Sequence, residues 1–218
     1  GWFTHFESGT PGKVEVWHQA DRSFDLRLVT SPVYESILNG RVTRVTPGID
    51  LDHFAPTKGA KRGSRLGLSG IGSNRKGLEL AHALIPYDLA VVAGRGWGLP
   101  ETWVEYADMP AWYSQIDTYV CTATEEGIPA PVLEAMACGC KAVLPYGVGI
   151  CDLLAGSPGV FMYQKGDPVS LRQAVDEAIA AKVSRVDIRD AVQGYGIASW
   201  VESNRTAVEE LLDAPGSD

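Results

Sequence analysis

The hydrophobic residues of this chain fall in short runs rather than in strict alternation. Six short apolar runs stand out, at residues 26–30, 42–46, 65–69, 89–93, 118–122 and 141–144. Runs of that length without a two-residue period are expected of parallel strands covered on both faces. Between them the apolar positions predict helices at 33–38, 77–85, 109–116 and 131–138. Residues 168–182 predict a longer amphipathic helix with Leu171, Ala174, Val175, Ala178 and Ile179 on one face. A last helix is expected at 201–212, followed by a frayed tail at 214–218. Strands alternating with helices predict βαβ units and an α/β fold, a Rossmann-like doubly wound parallel sheet.

A polar stretch rich in breakers interrupts the pattern at residues 47–64, from Pro47-Gly48 through Pro56 to Thr57-Lys-Gly-Ala-Lys-Arg-Gly-Ser64. It divides the chain into a small N-terminal α/β part (1–48), a linker (49–64), one complete α/β domain (65–200) and a C-terminal helix with its tail (201–218). No internal repeat or low-complexity tract is visible.

Composition narrows the partners. The 218 residues are 45% hydrophobic and carry 19 basic against 27 acidic side chains, a formal net charge of −8. An acidic chain with scattered Lys and Arg lacks the basic footprint of a nucleic-acid binder. No apolar run reaches the roughly 18 residues of a membrane span, and no charged-then-apolar leader opens the sequence. The cysteines Cys121, Cys138, Cys140 and Cys151 sit among small or apolar neighbours, and Cys138-Gly-Cys140 has the wrong spacing for a zinc or redox pair. They read as small buried hydrophobes in a reducing compartment, so a cytoplasmic place is expected.

The chemistry concentrates at Thr122-Ala-Thr-Glu-Glu-Gly-Ile-Pro-Ala-Pro-Val-Leu-Glu-Ala-Met-Ala-Cys-Gly139. A strand is expected to end near Thr122, a loop to hold Glu125, Glu126, Gly127 and Pro129, and a helix to start with Pro131 in first position and stop at Gly139. This places Glu126 on the loop and Glu134 in the first helical turn, both at the C-terminal edge of a parallel sheet, where doubly wound folds bind ligands. The N–H groups of that turn would face an anion such as phosphate, or sugar hydroxyls. Taken as an isolated pair, the two glutamates also read as a helix-terminus acid and a solvated loop acid.

The whole string closely resembles the glutamate-x7-glutamate signature of family 4 retaining glycosyltransferases, which have the GT-B architecture. Arg44-Val-Thr-Pro-Gly-Ile-Asp-Leu-Asp-His-Phe-Ala-Pro56 is similar to that family's interdomain stretch. Leu68-Ser-Gly-Ile-Gly-Ser-Asn-Arg-Lys-Gly-Leu78 resembles its strand, glycine loop and helix facing the donor diphosphate, and Val91-Val-Ala-Gly-Arg-Gly96 its next strand and turn. Met109-Pro-Ala-Trp-Tyr-Ser-Gln-Ile-Asp117 resembles the short helix before the signature strand, and Ala198-Ser-Trp-Val-Glu202 the segment preceding the last helix.

The resemblance implies a nucleotide-diphosphate sugar donor (a UDP- or GDP-sugar), an unspecified acceptor hydroxyl, no cofactor and no essential metal. It implies that Glu134 binds the donor ribose, and that Glu126 with Gly127, Ile128 and Pro129 surrounds the transferred sugar. Lys76 would take the charge of the leaving diphosphate, which Gly70 and Gly72 let the backbone approach. Leu133 and Tyr106 join the substrate-binding set, Tyr106 toward the nucleobase. His5 matches by position the histidine that the acceptor domain sends toward the donor sugar; by its own chemistry it reads first as a partly buried or solvated histidine. His18, His53 and His82 attract no hypothesis.

Two features depart from the family. Ile71 stands where an arginine is usual, with Arg75 as either a substitute charge or a solvated residue. The N-terminal part is much shorter than a full acceptor domain. A non-catalytic or partner-dependent sugar-nucleotide-binding module is therefore the alternative, and an exposed apolar cleft face would favour a homodimer.

Overall fold

The computed structural model describes residues 15, 18, 19, 21–36, 38–60, 65–90 and 92–213. Regular structure opens with β1 (Arg27–Val29), a short helix α1 (Pro32–Glu35) and β2 (Val42–Arg44), and β2 pairs parallel to β1. There follow β3 (Leu66–Gly67), β4 (Ser69–Ile71), α2 (Leu78–Ala81), β5 (Val92–Arg95), β6 (Glu101–Thr102), α3 (Met109–Tyr113) and β7 (Thr118–Val120). The chain continues through α4 (Ala130–Ala137), β8 (Lys141–Pro145), α5 (Cys151–Leu154), β9 (Val160–Tyr163), α6 (Pro168–Ala180), α7 (Arg185–Asp190) and α8 (Ile197–Leu212).

Every strand pair among the described residues is parallel. On one side β3 pairs with β7, β7 with β8 and β8 with β9; on the other β4 pairs with β5 and β5 with β6. β3 and β4 are one run of chain, separated only by Leu68, whose carbonyl accepts from the Ala93 N–H at 3.1 Å. The strand order is therefore β6-β5-β4/β3-β7-β8-β9, with the earliest strand in the middle. That is the doubly wound Rossmann order, and its switch point lies between residues 66–71 and β7.

Successive residues of these strands feed opposite cores. Val120 and Val143 pack with Leu66, Leu68, Leu171 and Val175 on the face of α2 and α6. Tyr119, Cys121, Ala142 and Leu144 pack with Leu133, Met136 and Ile188 on the face of α4 and α7. Coverage on both faces is why the strand sequences show runs rather than alternation. All four cysteines are buried free thiols, as their neighbours suggested.

The differences from the sequence expectation have local causes. β6 is two exposed residues, Glu101 and Thr102, with no apolar signal to read. β9, α5 and α7 are also unpredicted, the two helices because they are too short to show a period. The expected strand at 89–93 is displaced: Leu89 makes only an isolated bridge to Leu66, and β5 starts at Val92. Ile179 sits at the edge of the α6 stripe and is 38% exposed. α8 begins at Ile197, so residues 198–202 lie within the last helix rather than before it. α4 begins at Ala130, which puts Pro131 in second position. It does stop at Gly139, whose left-handed backbone (φ +76) lets the Cys140 N–H reach the Ala135 carbonyl at 2.9 Å.

The N-terminal pair of strands is tied to the other end of the chain. Leu26, Leu28 and Val45 pack against Ala207 and Leu211 of α8. The Thr46 N–H donates to Ser203 Oγ at 3.1 Å, and Ile49 bridges Gly196 in parallel. Within the unit, Arg27 Nε meets Asp21 Oδ1 at 2.6 Å, with the two side chains 8% and 1% exposed. No helix among the described residues is long and apolar enough to cross a membrane.

Removing one member of a buried pair strands the other charge. Asp21→Ala is expected to lower the unfolding free energy by about 3 kcal/mol, read from the urea midpoint, with amide exchange quickening first in β1 and β2.

Candidate active site

The loop after β4 and the loop after β7 meet at the C-terminal edge of the sheet. Threonines stitch them together: Thr122 Oγ1 donates to the Lys76 carbonyl at 2.7 Å, and the Thr124 N–H to the Arg75 carbonyl at 2.9 Å. The stitching brings both cations onto one carboxylate. Glu126 Oε1 lies 2.5 Å from Lys76 Nζ and 3.1 Å from Arg75 NH1, and the Glu126 side chain is only 10% exposed. At that range the two contacts are ion pairs, and Glu126 Oε1 is buried without a hydrogen-bond partner among the described residues. Arg75 also donates to the Glu125 carbonyl at 3.3 Å, so it belongs to this loop rather than to solvent.

Glu134 occupies the fifth position of α4, in its second turn and not in the first as expected. It therefore takes no part in capping the helix. Its Oε2 accepts from the Tyr113 hydroxyl at 2.8 Å. Tyr113 is wholly buried, and burial, followed by the Glu134 charge, holds its hydroxyl far above an ordinary phenol. Beneath it Tyr119 Oη and Ser69 Oγ lie 3.0 Å apart. Burial raises the Glu134 carboxyl above its usual range, while the Tyr113 hydrogen bond and the nearby His53 pull it back only in part.

His53 comes from the stretch between the two parts of the chain. Asp50 Oδ1 accepts the His53 N–H at 2.9 Å and turns the backbone there. The His53 ring stacks on Tyr106 with centroids 4.6 Å apart, and Nε2 lies 3.0 Å from the Tyr106 carbonyl. Tyr106 is 59% exposed and lies within the electrostatic reach of Glu134. The structure thus gathers the candidates into two groups beside the N-terminus of α4: Lys76, Arg75 and Glu126 in one, Glu134, Tyr113, His53 and Tyr106 in the other. A small depression lined by Ser69, Lys76, Thr122, Pro129 and Pro131 lies beside them.

The remaining candidates divide by environment. Among the described residues neither the buried Gly127 nor the half-buried Ile128 has a hydrogen-bond partner for its N–H. Pro129 and Pro131 have no N–H to offer, which thins the donors expected of this helix end. Gly70 faces open space with φ +95, but the missing side chain of Gly72 makes room for the Gly96 carbonyl, 2.4 Å from where a Cβ would stand. Leu133 is fully buried in the core, where its side chain packs beneath the helix. Ile71 is 53% exposed. His5 lies outside the described residues.

Sequence reasoning missed Tyr113 and His53. Tyr113 lies in the predicted helix at 109–116, but nothing there signals which partner its hydroxyl meets. The Asp50-x-x-His53 spacing signals a turn and not the aromatic ring that His53 covers. Chemically the site offers two cations over one carboxylate, free backbone donors, and a half-buried carboxylate with one oxygen already engaged. That combination suits a ligand carrying both anionic and vicinal hydroxyl groups.

The sheet is Rossmann-like, with charged loops at its switch point, and comparison with known proteins gives the same fold. Residues 87–181 match the family model described as Glycosyl transferases group 1, a span that includes Tyr106, Glu126 and Glu134. A probable transglycosylase of Burkholderia thailandensis is 28% identical over 151 residues, covering 64% of this chain and 40% of that protein. The O-antigen chain mannosyltransferase B of Escherichia coli is 32% identical over 111 residues, covering 38% of this chain and 29% of its own. The chain thus spans less than half the length of the curated relatives it matches. Among solved structures, sucrose-phosphate synthase from Thermosynechococcus elongatus superposes with a TM-score of 0.78 at 19% identity, over 94% of this chain and 63% of that one. Anabaena HepE in complex with UDP and glucose superposes at 0.71 with 15% identity, over 92% and 67%.

The elevated Glu134 carboxyl has a testable consequence. A carboxyl raised on folding contributes its full stability below its ordinary value of 4.5 and loses it as pH climbs through the folded value. Glu134→Gln is therefore expected to gain stability relative to the parent chain as pH rises from 4 to 7, measured by thermal melts across that range. Tyr113→Phe should move the Glu134 carboxyl further up, read from its carbon chemical shift during a pH titration.

Proposed function

We propose that this chain forms the donor side of a retaining glycosyltransferase that moves a sugar from a UDP- or GDP-sugar to an acceptor hydroxyl. The observation that carries the reading is the Lys76–Arg75–Glu126 cluster, placed beside the Glu134–Tyr113 pair where the two loops of the switch point meet. A nucleotide-diphosphate sugar needs those features together: a carboxylate for ribose hydroxyls, cations for the diphosphate, and donors around the sugar.

In this reading the free oxygen of Glu134 accepts from the ribose hydroxyls while Tyr113 holds the other. Tyr106, braced by His53, lines the nucleobase side. Glu126, with the N–H groups of Gly127 and Ile128, surrounds the transferred sugar, and Pro129 contributes its carbonyl. The bond between the anomeric carbon and the β-phosphate oxygen breaks as the acceptor oxygen bonds the same face of that carbon. The acceptor proton passes to the departing phosphate, and the anomeric configuration is kept. Lys76, with Arg75 at its side, stabilises the charge that develops on the leaving diphosphate. Arg75 is thereby the cation nearest in role to the arginine that Ile71 replaces. Neutralisation by side chains makes transfer independent of divalent metal.

A panel of UDP, GDP, ADP and their sugar conjugates tests the donor site. At about 100 times its dissociation constant, the right nucleotide should add roughly 2.7 kcal/mol to stability. Glu134→Ala should remove that selective shift. Lys76→Ala should cost about a hundredfold in kcat, with donor affinity changing far less, and transfer should survive EDTA. Silence across the whole nucleotide panel would sink the reading. Binding without transfer to any sugar, peptide or polymer acceptor would reduce the chain to a sugar-nucleotide-binding module.

A further inference from the structure

The N-terminal unit reaches the Glu126 loop through a buried serine. Ser31 follows β1 at its C-terminal end and is fully buried. Its Oγ accepts from the Val33 N–H at 3.2 Å, capping α1, and donates to the Gly149 carbonyl at 2.8 Å. A helix cap alone requires only the first of these bonds. The second crosses to the turn between β8 and α5, a part of the other sheet 118 residues along the chain.

That turn is pressed against the Glu126 loop. Gly149 has φ +55, and a Cβ placed on it would stand 2.6 Å from the Gly127 carbonyl oxygen and 2.8 Å from that of Glu126. The contact is backbone to backbone, so neither side yields by rotating a side chain. On its outer side the turn is braced by Asp152, whose two carboxylate oxygens each accept from the Gly147 N–H at 3.1 Å. A continuous stack results: Ser31, the Gly149 turn, the backbone of Glu126 and Gly127, and then the carboxylate shared by Lys76 and Arg75.

We infer that Ser31 is a positioning residue through which the small N-terminal unit sets the sugar-facing loop at Glu126 and Gly127. The inference rests on the donor-site reading above and adds to it a division of labour. Nucleoside binding by Glu134, Tyr113 and Tyr106 involves none of the residues in the stack, and Lys76 and Arg75, which meet the diphosphate, are held through their own carbonyls by Thr122 and Thr124. Recognition of the sugar by the 126–128 backbone depends on all of them. A contact made by β1 and α1 thus acts on a group of the larger domain that it never touches.

The test compares nucleoside diphosphate with sugar nucleotide on the full chain, by calorimetry with UDP against UDP-glucose and GDP against GDP-mannose. Ser31→Ala is expected to leave the nucleoside diphosphate affinity within about twofold and to weaken the sugar nucleotide about fivefold, the loss of one hydrogen bond's worth of positioning. Ser31→Thr keeps the hydroxyl and should restore the parent ratio. Ser31→Cys, nearly the same size but a poor donor, asks the same question if alanine loosens the fold. Equal weakening of both ligands, or an unchanged ratio in a folded variant, would overturn the assignment while leaving the donor site standing. Failure of the parent chain to bind any of the four would sink the donor-site reading, and the role of Ser31 with it.

Discussion

One stretch of chain, residues 66–71, has to serve two neighbours at once, and the rest of the molecule is arranged around that demand. Its first half pairs with β7 and its second half with β5, with Leu68 as the joint. Since every pairing is parallel, each neighbour must be reached by a crossover, and the crossovers lie on opposite faces. The loops that leave 66–71 and β7 consequently emerge at the same sheet edge, where Thr122 and Thr124 join them around one space. The Lys76 loop and the Glu126 loop are those two loops.

What occupies that space follows from electrostatics as much as from topology. A carboxylate buried to the extent of Glu126 needs compensation, and two cations on one oxygen supply it. A polyanionic ligand arriving there would compete with Glu126 for the same cations. The arrangement is a closed ion cluster, two cations on one carboxylate oxygen. Glu134 is built differently: its compensation is a single neutral hydroxyl with a histidine nearby, and its carboxyl stays elevated. With Oε2 engaged by Tyr113, its Oε1 is left to offer to hydroxyl groups.

The small N-terminal unit is joined to the larger domain at both ends of its sheet. α8 packs on β1 and β2 and carries the chain's C-terminal segment back to its beginning. Arg189 on α7 donates to the Leu51, Phe54 and Ala137 carbonyls, tying the connecting stretch to the end of α4. Held in this way, residues 50–54 present His53 to Tyr106 and Phe54 to the core. The connecting stretch, which reads as a mere linker, forms one wall of the candidate site.

Much of this was legible in the residues alone. Alternating apolar runs and helical periods announced a doubly wound sheet, because burial on both faces leaves its mark in the central strands. The string from Thr122 to Gly139 showed both glutamates and the glycine that ends α4, because those features are local in sequence. The edge elements escaped notice for the converse reason: exposed Glu101 and Thr102 carry no hydrophobic signal. The partners of the functional groups were also hidden. Tyr113 meets Glu134 across 21 residues, His53 meets Tyr106 across 53, and Ser31 meets Gly149 across 118. Periodicity and capping are properties of neighbouring residues, so the sequence by itself determined the central elements, their order and the charged groups of the site. Which hydroxyl faces which carboxylate depends on strand register and on how helices pack over the sheet, and only the tertiary structure decided that.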